Sequence, residues 1–320
     1  MKILLGLVLS VAFAVVGPAA ARTIDAAPLG HGLRLEYYVS APPGAADANI
    51  LIVVHGYPRD ANRTFDAAAK AAAEAGHSAD TLIVAPIFQV PANEADKCHF
   101  HGVPPAKPGD ALWHCDDWAD GNPAINGPVT SFQAMDLLVV SLLHRDPAAH
   151  TVTIAGFSAG GQYVQHYIGF ANAPARAVIL RYVVGDPSEF VYFSPSRPVP
   201  GATACPGYND WKFGTDHLPA YLGRDAATVR AVYANAKVRY LEGALDTGMG
   251  RGAAYRLLEK NCGAELQGTY RLQRGEAYAA YDQAALAHGA HPLIIVPGCA
   301  HSVTCVFPSA AARDALFGSE

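Results

Sequence analysis

The pentapeptide Gly156-Phe157-Ser158-Ala159-Gly160 constrains this chain more than any other feature. A β-branched run, Thr151-Val152-Thr153-Ile154, precedes it, and Tyr163, Val164, Tyr167 and Ile168 follow at helical spacing. The motif therefore joins a strand to a helix. Glycine two residues either side of the serine lets the chain reverse sharply, which strains the serine backbone and leaves its Oγ exposed at the carboxyl edge of a sheet. A serine hydroxyl is a poor nucleophile at its own pKa and needs a base beside it. Ser158 is thus a candidate nucleophile, and a histidine and an acid should follow at other strand ends.

A pass along the chain finds the framework for them. Gly32 to Val39 reads as an early strand and Ile50 to Val54 as a buried central one ending at His55-Gly56. Thr64 to Ala75 is alanine-rich and predicts a helix, Thr81 to Ile87 a strand, and Ser131 to Leu143 a helix. After the serine motif come a strand over Ala177 to Val184, a helix around Val229 to Ala234, and a strand over Val238 to Leu241. Helices are then expected over Arg251 to Lys260 and Glu276 to His288, and a last strand over Leu293 to Val296. Strands alternating with helices predict an α/β fold, a mostly parallel sheet covered by helices on both faces, with the site beyond the carboxyl ends of the strands. Two irregular excursions interrupt it. Residues 89–128 carry Pro, His and Trp with little periodicity, and 186–222 carry Pro187, Pro195, Pro198, Pro200 and Pro206. Loops this long inside one domain are usually functional or stapled. The second excursion is expected as a lid-like insertion, where Phe190, Tyr192, Phe193, Tyr208 and Trp211 either cover a cleft or pack.

The strand Val238 to Leu241 leads into Glu242-Gly243-Ala244-Leu245-Asp246, and Leu293 to Val296 leads into Pro297-Gly298-Cys299-Ala300-His301. Asp246 and His301 are therefore placed just beyond strand ends, in the chain order Ser, Asp, His. Asp186, after Val183-Val184-Gly185, is the rival acid. His166 lies eight residues along the helix from Ser158, a rise of about 12 Å, too far to serve as base. His291 precedes the last strand and belongs at the opposite edge. Donors for a developing oxyanion are expected from the Ala159 N–H and, after the strand ending at Val54, from the Tyr57 N–H. His55 is read as a structural turn residue.

The first residues predict an export leader over 1–21: Lys2, an apolar stretch from Ile3 to Val16, Gly17-Pro18, then Ala19-Ala20-Ala21. Residues 22–320 then form one domain, exported to the periplasm or the medium, with no stable membrane insertion after cleavage. With 51% hydrophobic and 16% charged residues the chain is a folded globule, and a formal charge of −5 without a basic run gives no reason to expect nucleic acid. Six cysteines in an exported chain suggest disulfides. Six allow 15 pairings; proximity suggests Cys98 with Cys115 and Cys299 with Cys305, and elimination leaves Cys205 with Cys262. The Cys299–Cys305 loop would close around His301. Cys98-His99-Phe100-His101 and His114-Cys115 also have the residue types of a zinc site, but oxidation to a disulfide is the stronger reading. Trp113 and Trp118 either line a pocket or pack the excursion onto the core. Asp116, Asp117 and Asp120 read as a solvated acidic loop, with Ca²⁺ the alternative. No metal and no organic cofactor is expected.

From about Ile50 to Phe317 the chain resembles serine hydrolases of the α/β-hydrolase superfamily. More narrowly, Gly156 to Gln162, Cys205-Pro206-Gly207-Tyr208-Asn209-Asp210-Trp211-Lys212, Asn261-Cys262, Gln267-Gly268 and Arg274-Gly275 resemble exported bacterial and fungal hydrolases, with a remote similarity to polyester depolymerases and feruloyl esterases. The resemblance implies a shared loop design and a carboxylic ester, small or polymeric, cleaved through an acyl-enzyme on Ser158. An amidase or peptidase would use the same residues. A non-catalytic binding protein on the same fold is the reading from a different class.

Overall fold

The computed structural model describes residues 22–40, 48–250, 252 and 254–318. The leader expected over 1–21 lies outside them. The strands are β1 (Arg22–Gly30), β2 (Leu33–Ser40), β3 (Asn49–Val54), β4 (Thr81–Pro86), β5 (Thr151–Phe157), β6 (Ile179–Gly185), β7 (Val238–Gly243) and β8 (Leu293–Val296). They form one sheet in the order β1-β2-β4-β3-β5-β6-β7-β8. β1 pairs antiparallel with β2 and β2 with β4, and all remaining pairs are parallel. The helices are α1 (Ala61–Ala75), α2 (Ala95–Cys98), α3 (Ser131–Arg145), α4 (Ala159–Tyr167), α5 (Ala226–Ala234), α6 (Cys262–Glu265), α7 (Arg271–Ala285), α8 (Val303–Val306) and α9 (Arg313–Leu316).

Successive side chains on a strand point to opposite faces, and the central strands are apolar on both. Ile50, Ile52 and Val54 pack with Leu138 of α3, Tyr163 of α4 and Tyr278 of α7 in one layer. Leu51 and Val53 pack with Phe65 of α1, Val306 of α8 and Leu316 of α9 in the other. Burial on both sides explains why these strands read as unbroken apolar runs. The start of α3 is fixed locally by a capping box: Thr130 Oγ1 accepts from the Gln133 N–H at 3.1 Å, and Gln133 Oε1 accepts from the Thr130 N–H at 3.0 Å.

The four-residue helices α2, α6, α8 and α9 were not expected, and two longer elements also differ from expectation. Among the described residues of the helix expected over Arg251 to Lys260, only a short 3₁₀ turn at Tyr255–Leu257 forms. Gly248, Gly250 and Gly252 run into it, and glycine disfavours helix by about 1 kcal/mol relative to alanine. The edge strand β1 was not expected. Most of it is exposed, so it carries little hydrophobic periodicity to read.

The excursion 89–128 is stapled by the Cys98–Cys115 disulfide, and Cys205–Cys262 and Cys299–Cys305 form the other two bridges. Arg59, buried just beyond β3, holds the same excursion from beneath. Its guanidinium donates to the carbonyls of Phe88 at 3.0 Å, His114 at 2.9 Å and Cys115 at 3.2 Å. In 186–222, Phe190, Tyr192 and Phe193 are buried in the core, where Phe190 stacks on Tyr278. Trp211 packs against His166 and Phe170 and donates its indole N–H to the Asp120 carbonyl at 3.1 Å. These side chains are packing, and the segment forms a wall beside the site.

Candidate active site

Three loops meet at the carboxyl end of the sheet. Ser158 sits between β5 and α4 with φ 60° and ψ −125°, a conformation that L residues rarely adopt. Its N–H donates to the Gly185 carbonyl at 2.9 Å. The flanking glycines are required by close approach. A side chain on Gly156 would collide with the Gly160 carbonyl, and one on Gly160 with the carbonyls of Val54 and His55. The start of α4 is thus pressed onto the ends of β3 and β5, and Ser158 Oγ is left on top.

His301 bridges the serine and an acid. Its Nε2 lies 2.9 Å from Ser158 Oγ, and its Nδ1 lies 2.7 Å from Asp246 Oδ2. The tautomer that serves both contacts carries its proton on Nδ1 and accepts from the serine hydroxyl at Nε2. Burial pushes the imidazole below its ordinary pKa, against the hydrogen bond to Asp246, which raises it. The His301 N–H donates to the Gly252 carbonyl at 3.1 Å, and the Cys299–Cys305 bridge closes the loop that carries it. Asp246 is buried, with an Arg271 guanidinium nitrogen 3.7 Å from its Oδ1.

Asp186, the rival acid, takes another place. It is fully buried, and its Oδ1 accepts from the Gly243 N–H at 2.9 Å. Burial, and then the charge of Asp246, raise its pKa from 3.8 to about 7. The neighbouring Glu242, also fully buried, is raised well above the carboxylate range by burial and by Asp186. Two of the three carboxyls behind His301 are therefore held toward their neutral forms, and Asp246 is the one that touches the imidazole. Asp186, Asp246 and His301 bring one ligand atom each within 4.8 Å of one another, the one such grouping among the described residues. Its short contact is the His301 to Asp246 hydrogen bond, so the arrangement reads as an oriented imidazole.

On the other side of Ser158, the Gly56 N–H is taken by Asp60 Oδ1 at 2.9 Å. Among the described residues, the N–H groups of Tyr57 and Ala159 have no protein acceptor. Both residues line, with Ser158, a cavity of about 330 Å³. His55 stands behind them as a structural residue. Its Nδ1 meets the Gly56 carbonyl at 2.9 Å, its Nε2 accepts from the Phe88 N–H at 3.2 Å, and burial pushes its pKa down to about 3. His291 pairs with Asp282 at 2.7 Å and stays away from the site.

The cavity wall holds residues that sequence reasoning did not single out as functional. Lys212 Nζ lies 2.8 Å from Glu189 Oε1, 3.5 Å from Asp120 Oδ2 and 3.9 Å from Glu259 Oε2. Gln162, one turn past Ser158, donates to Asp120 Oδ1 at 3.0 Å. The other segments quoted for the family resemblance brace this wall. Gln267 bonds both the N–H and the carbonyl of Phe190, each at 2.8 Å, and Arg274 donates to the carbonyls of Ser188 and Glu259. Position in those segments was the available signal for Lys212; Glu189 had none. Trp118 also lines the cavity, while Trp113 is wholly in the core. The zinc alternative loses both thiols to the Cys98–Cys115 bridge, with His114 turned to Glu94 and His99 to the Pro104 carbonyl. Asp116, Asp117 and Asp120 diverge, Asp116 exposed at the rim and Asp120 buried toward His166 and Lys212.

No family model and no curated protein matches the chain. Solved structures do. The poly(3-hydroxybutyrate) depolymerase LpqC from Bordetella parapertussis superposes with a TM-score of 0.62 at 19% identity, over 92% of this chain and 88% of that one. Poly(aspartic acid) hydrolase-1 from Sphingomonas sp. KT-1 superposes with a TM-score of 0.59 at 20% identity, over 94% and 99%. Sheet order and these likenesses give the chain the α/β-hydrolase fold.

Proposed function

We propose that this protein is an exported serine hydrolase that cleaves carboxylic esters through an acyl-enzyme on Ser158. The observation that carries the reading is His301 held between Ser158 at 2.9 Å and Asp246 at 2.7 Å, with Ser158 lining the same cavity as Tyr57 and Ala159, whose N–H groups have no protein acceptor among the described residues. Ser158 Oγ attacks the ester carbonyl carbon as its proton passes to His301 Nε2. The carbonyl oxygen becomes an oxyanion that accepts from the Tyr57 and Ala159 N–H groups. Asp246 keeps the imidazole in its tautomer and stabilises the imidazolium. When the tetrahedral centre collapses, the bond to the alkoxide breaks and Nε2 returns the proton to it. Water then attacks the acyl-enzyme by the same route in reverse, giving the acid and free Ser158.

Export is supported by the three disulfides and by the leader-like residues 1–21. Among the described residues no helix is long and apolar enough to cross a membrane. The test is hydrolysis of short-chain 4-nitrophenyl esters and matched 4-nitroanilides by the mature protein and by Ser158→Ala. Ester turnover that vanishes in the variant is expected. Anilide turnover equal to ester turnover would move the assignment to an amidase, and no turnover of either would leave a binding protein on this fold.

A further inference from the structure

Resting on that reading, we infer that Lys212 is a specificity-determining residue that donates a hydrogen bond to an uncharged oxygen acceptor on the substrate, in a frame of carboxylates that rejects anionic substrates. Lys212 and Ser158 line the same cavity. An ammonium has three donors. Glu189 Oε1 takes one at 2.8 Å, Asp120 Oδ2 stands near a second at 3.5 Å, and Glu259 Oε2 at 3.9 Å is too far for a hydrogen bond. The third is left for the cavity, where the side chain keeps 21% of its surface exposed. Burial disfavours the charged form, but Glu189 and then Asp120 outweigh it and hold the ammonium above the usual lysine range.

Its surroundings are more acidic than it can neutralise. Asp116, Glu189 and Glu259 line the cavity against Lys212 and Arg256, and Asp120 stands behind Lys212. A substrate carboxylate would meet the lysine only by approaching these acids, whereas an ether, hydroxyl or second ester oxygen takes the free donor without that repulsion. The frame is also rigid, because Gln267, Arg274 and the Glu259 N–H to Ser188 Oγ bond at 2.8 Å fix the segment carrying Glu189. A site built to satisfy a substrate acceptor discriminates against the analogue that lacks it.

The test uses two matched ester series, varied in the acyl chain or in the alcohol, each with an alkyl, an ether-containing and a carboxylate-bearing member. In at least one series the ether ester should exceed the alkyl ester in kcat/KM by about tenfold, as expected for a hydrogen bond from a charged donor, and the carboxylate member should fall below both. Lys212→Met combined with Glu189→Gln removes the closest ion pair together and should bring the ether-to-alkyl ratio close to one. The rate of phosphonate labelling of Ser158 in that double variant reports whether the nucleophile is still formed. A carboxylate ester equal to or better than the neutral members, or an ether preference that survives in a labelled double variant, would overturn the inference. Failure of the native protein to label would instead overturn the hydrolase reading itself, a different signature.

Discussion

Two buried charged clusters flank Ser158, and they handle the same problem in opposite ways. Behind His301, Asp186, Glu242 and Asp246 face the cation Arg271, and two of the carboxyls are pushed toward their neutral forms. Across the cavity, Asp120, Glu189 and Glu259 surround Lys212; Asp120 is held below its usual pKa because Lys212 and the His166 and Gln162 contacts outweigh burial. In the first cluster burial holds Asp186 and Glu242 toward their protonated forms behind Asp246, the acid that touches the imidazole. The second settles its charge with a fixed ammonium and so presents a polar wall to whatever enters. Burial of a charge is tolerated in both only because each is paired or neutralised.

The largest effects should come where the clusters converge. Ser158→Ala or His301→Ala is expected to lower kcat by about 10⁴-fold or more, read by ester turnover, with each nearly as damaging as the pair because the two act as a unit. Asp246→Asn should lower kcat by about 10³ to 10⁴-fold through loss of the correct imidazole tautomer, while Asp186→Asn, whose side chain still accepts from Gly243, should cost less than about tenfold. A larger loss in Asp186→Asn would reverse the assignment of the acid and erase the contrast within the first cluster.

Smaller effects sharpen the comparison. Replacing Cys299 and Cys305 together by alanine frees the loop around His301, so kcat should fall severalfold while the global stability drops by no more than about 2 kcal/mol, the chain-entropy value for so short a loop. Activity lost only in step with unfolding, followed by circular dichroism, would deny the loop any role in holding the histidine. The pH dependence should separate the clusters as well. Asp186 and Glu242 keep protons in the folded state at pH values where the unfolded chain has lost them. Their contribution to stability is therefore greatest below the unfolded carboxyl pKa near 4 and falls as pH rises toward about 7, where Asp186 titrates. Urea midpoints for Asp186→Asn should decline less over that interval than those of the native protein, and parallel declines would count against a protonated Asp186. Because burial lowers the His301 pKa, the acid limb of kcat/KM should lie below 6.5.

The mostly parallel sheet and the convergence of Ser158, Asp246 and His301 were legible because each residue follows a short apolar strand, and a parallel sheet puts all such ends on one edge. The Lys212 cluster was not. Lys212 and Glu189 lie in the excursion 186–222, Asp120 in the excursion 89–128 and Glu259 just past a short turn, so no periodicity or spacing connects them. Their contact depends on how two loops are pinned, by Arg59 on one side and by Gln267 and Arg274 on the other. The helix expected over Arg251 to Lys260 failed for a related reason: its glycines leave the backbone free, and tertiary contacts then decide.

The most direct measurement is mass spectrometry of the mature protein after reaction with a fluorophosphonate, with the modified peptide sequenced and the labelling rate followed against pH. A single adduct on Ser158 is expected, absent in Ser158→Ala, forming at a rate that falls as His301 protonates below pH 6.5 and collapses in His301→Ala. An adduct on any other residue, or a labelling rate unchanged by His301→Ala, would contradict the assignment of Ser158 and His301.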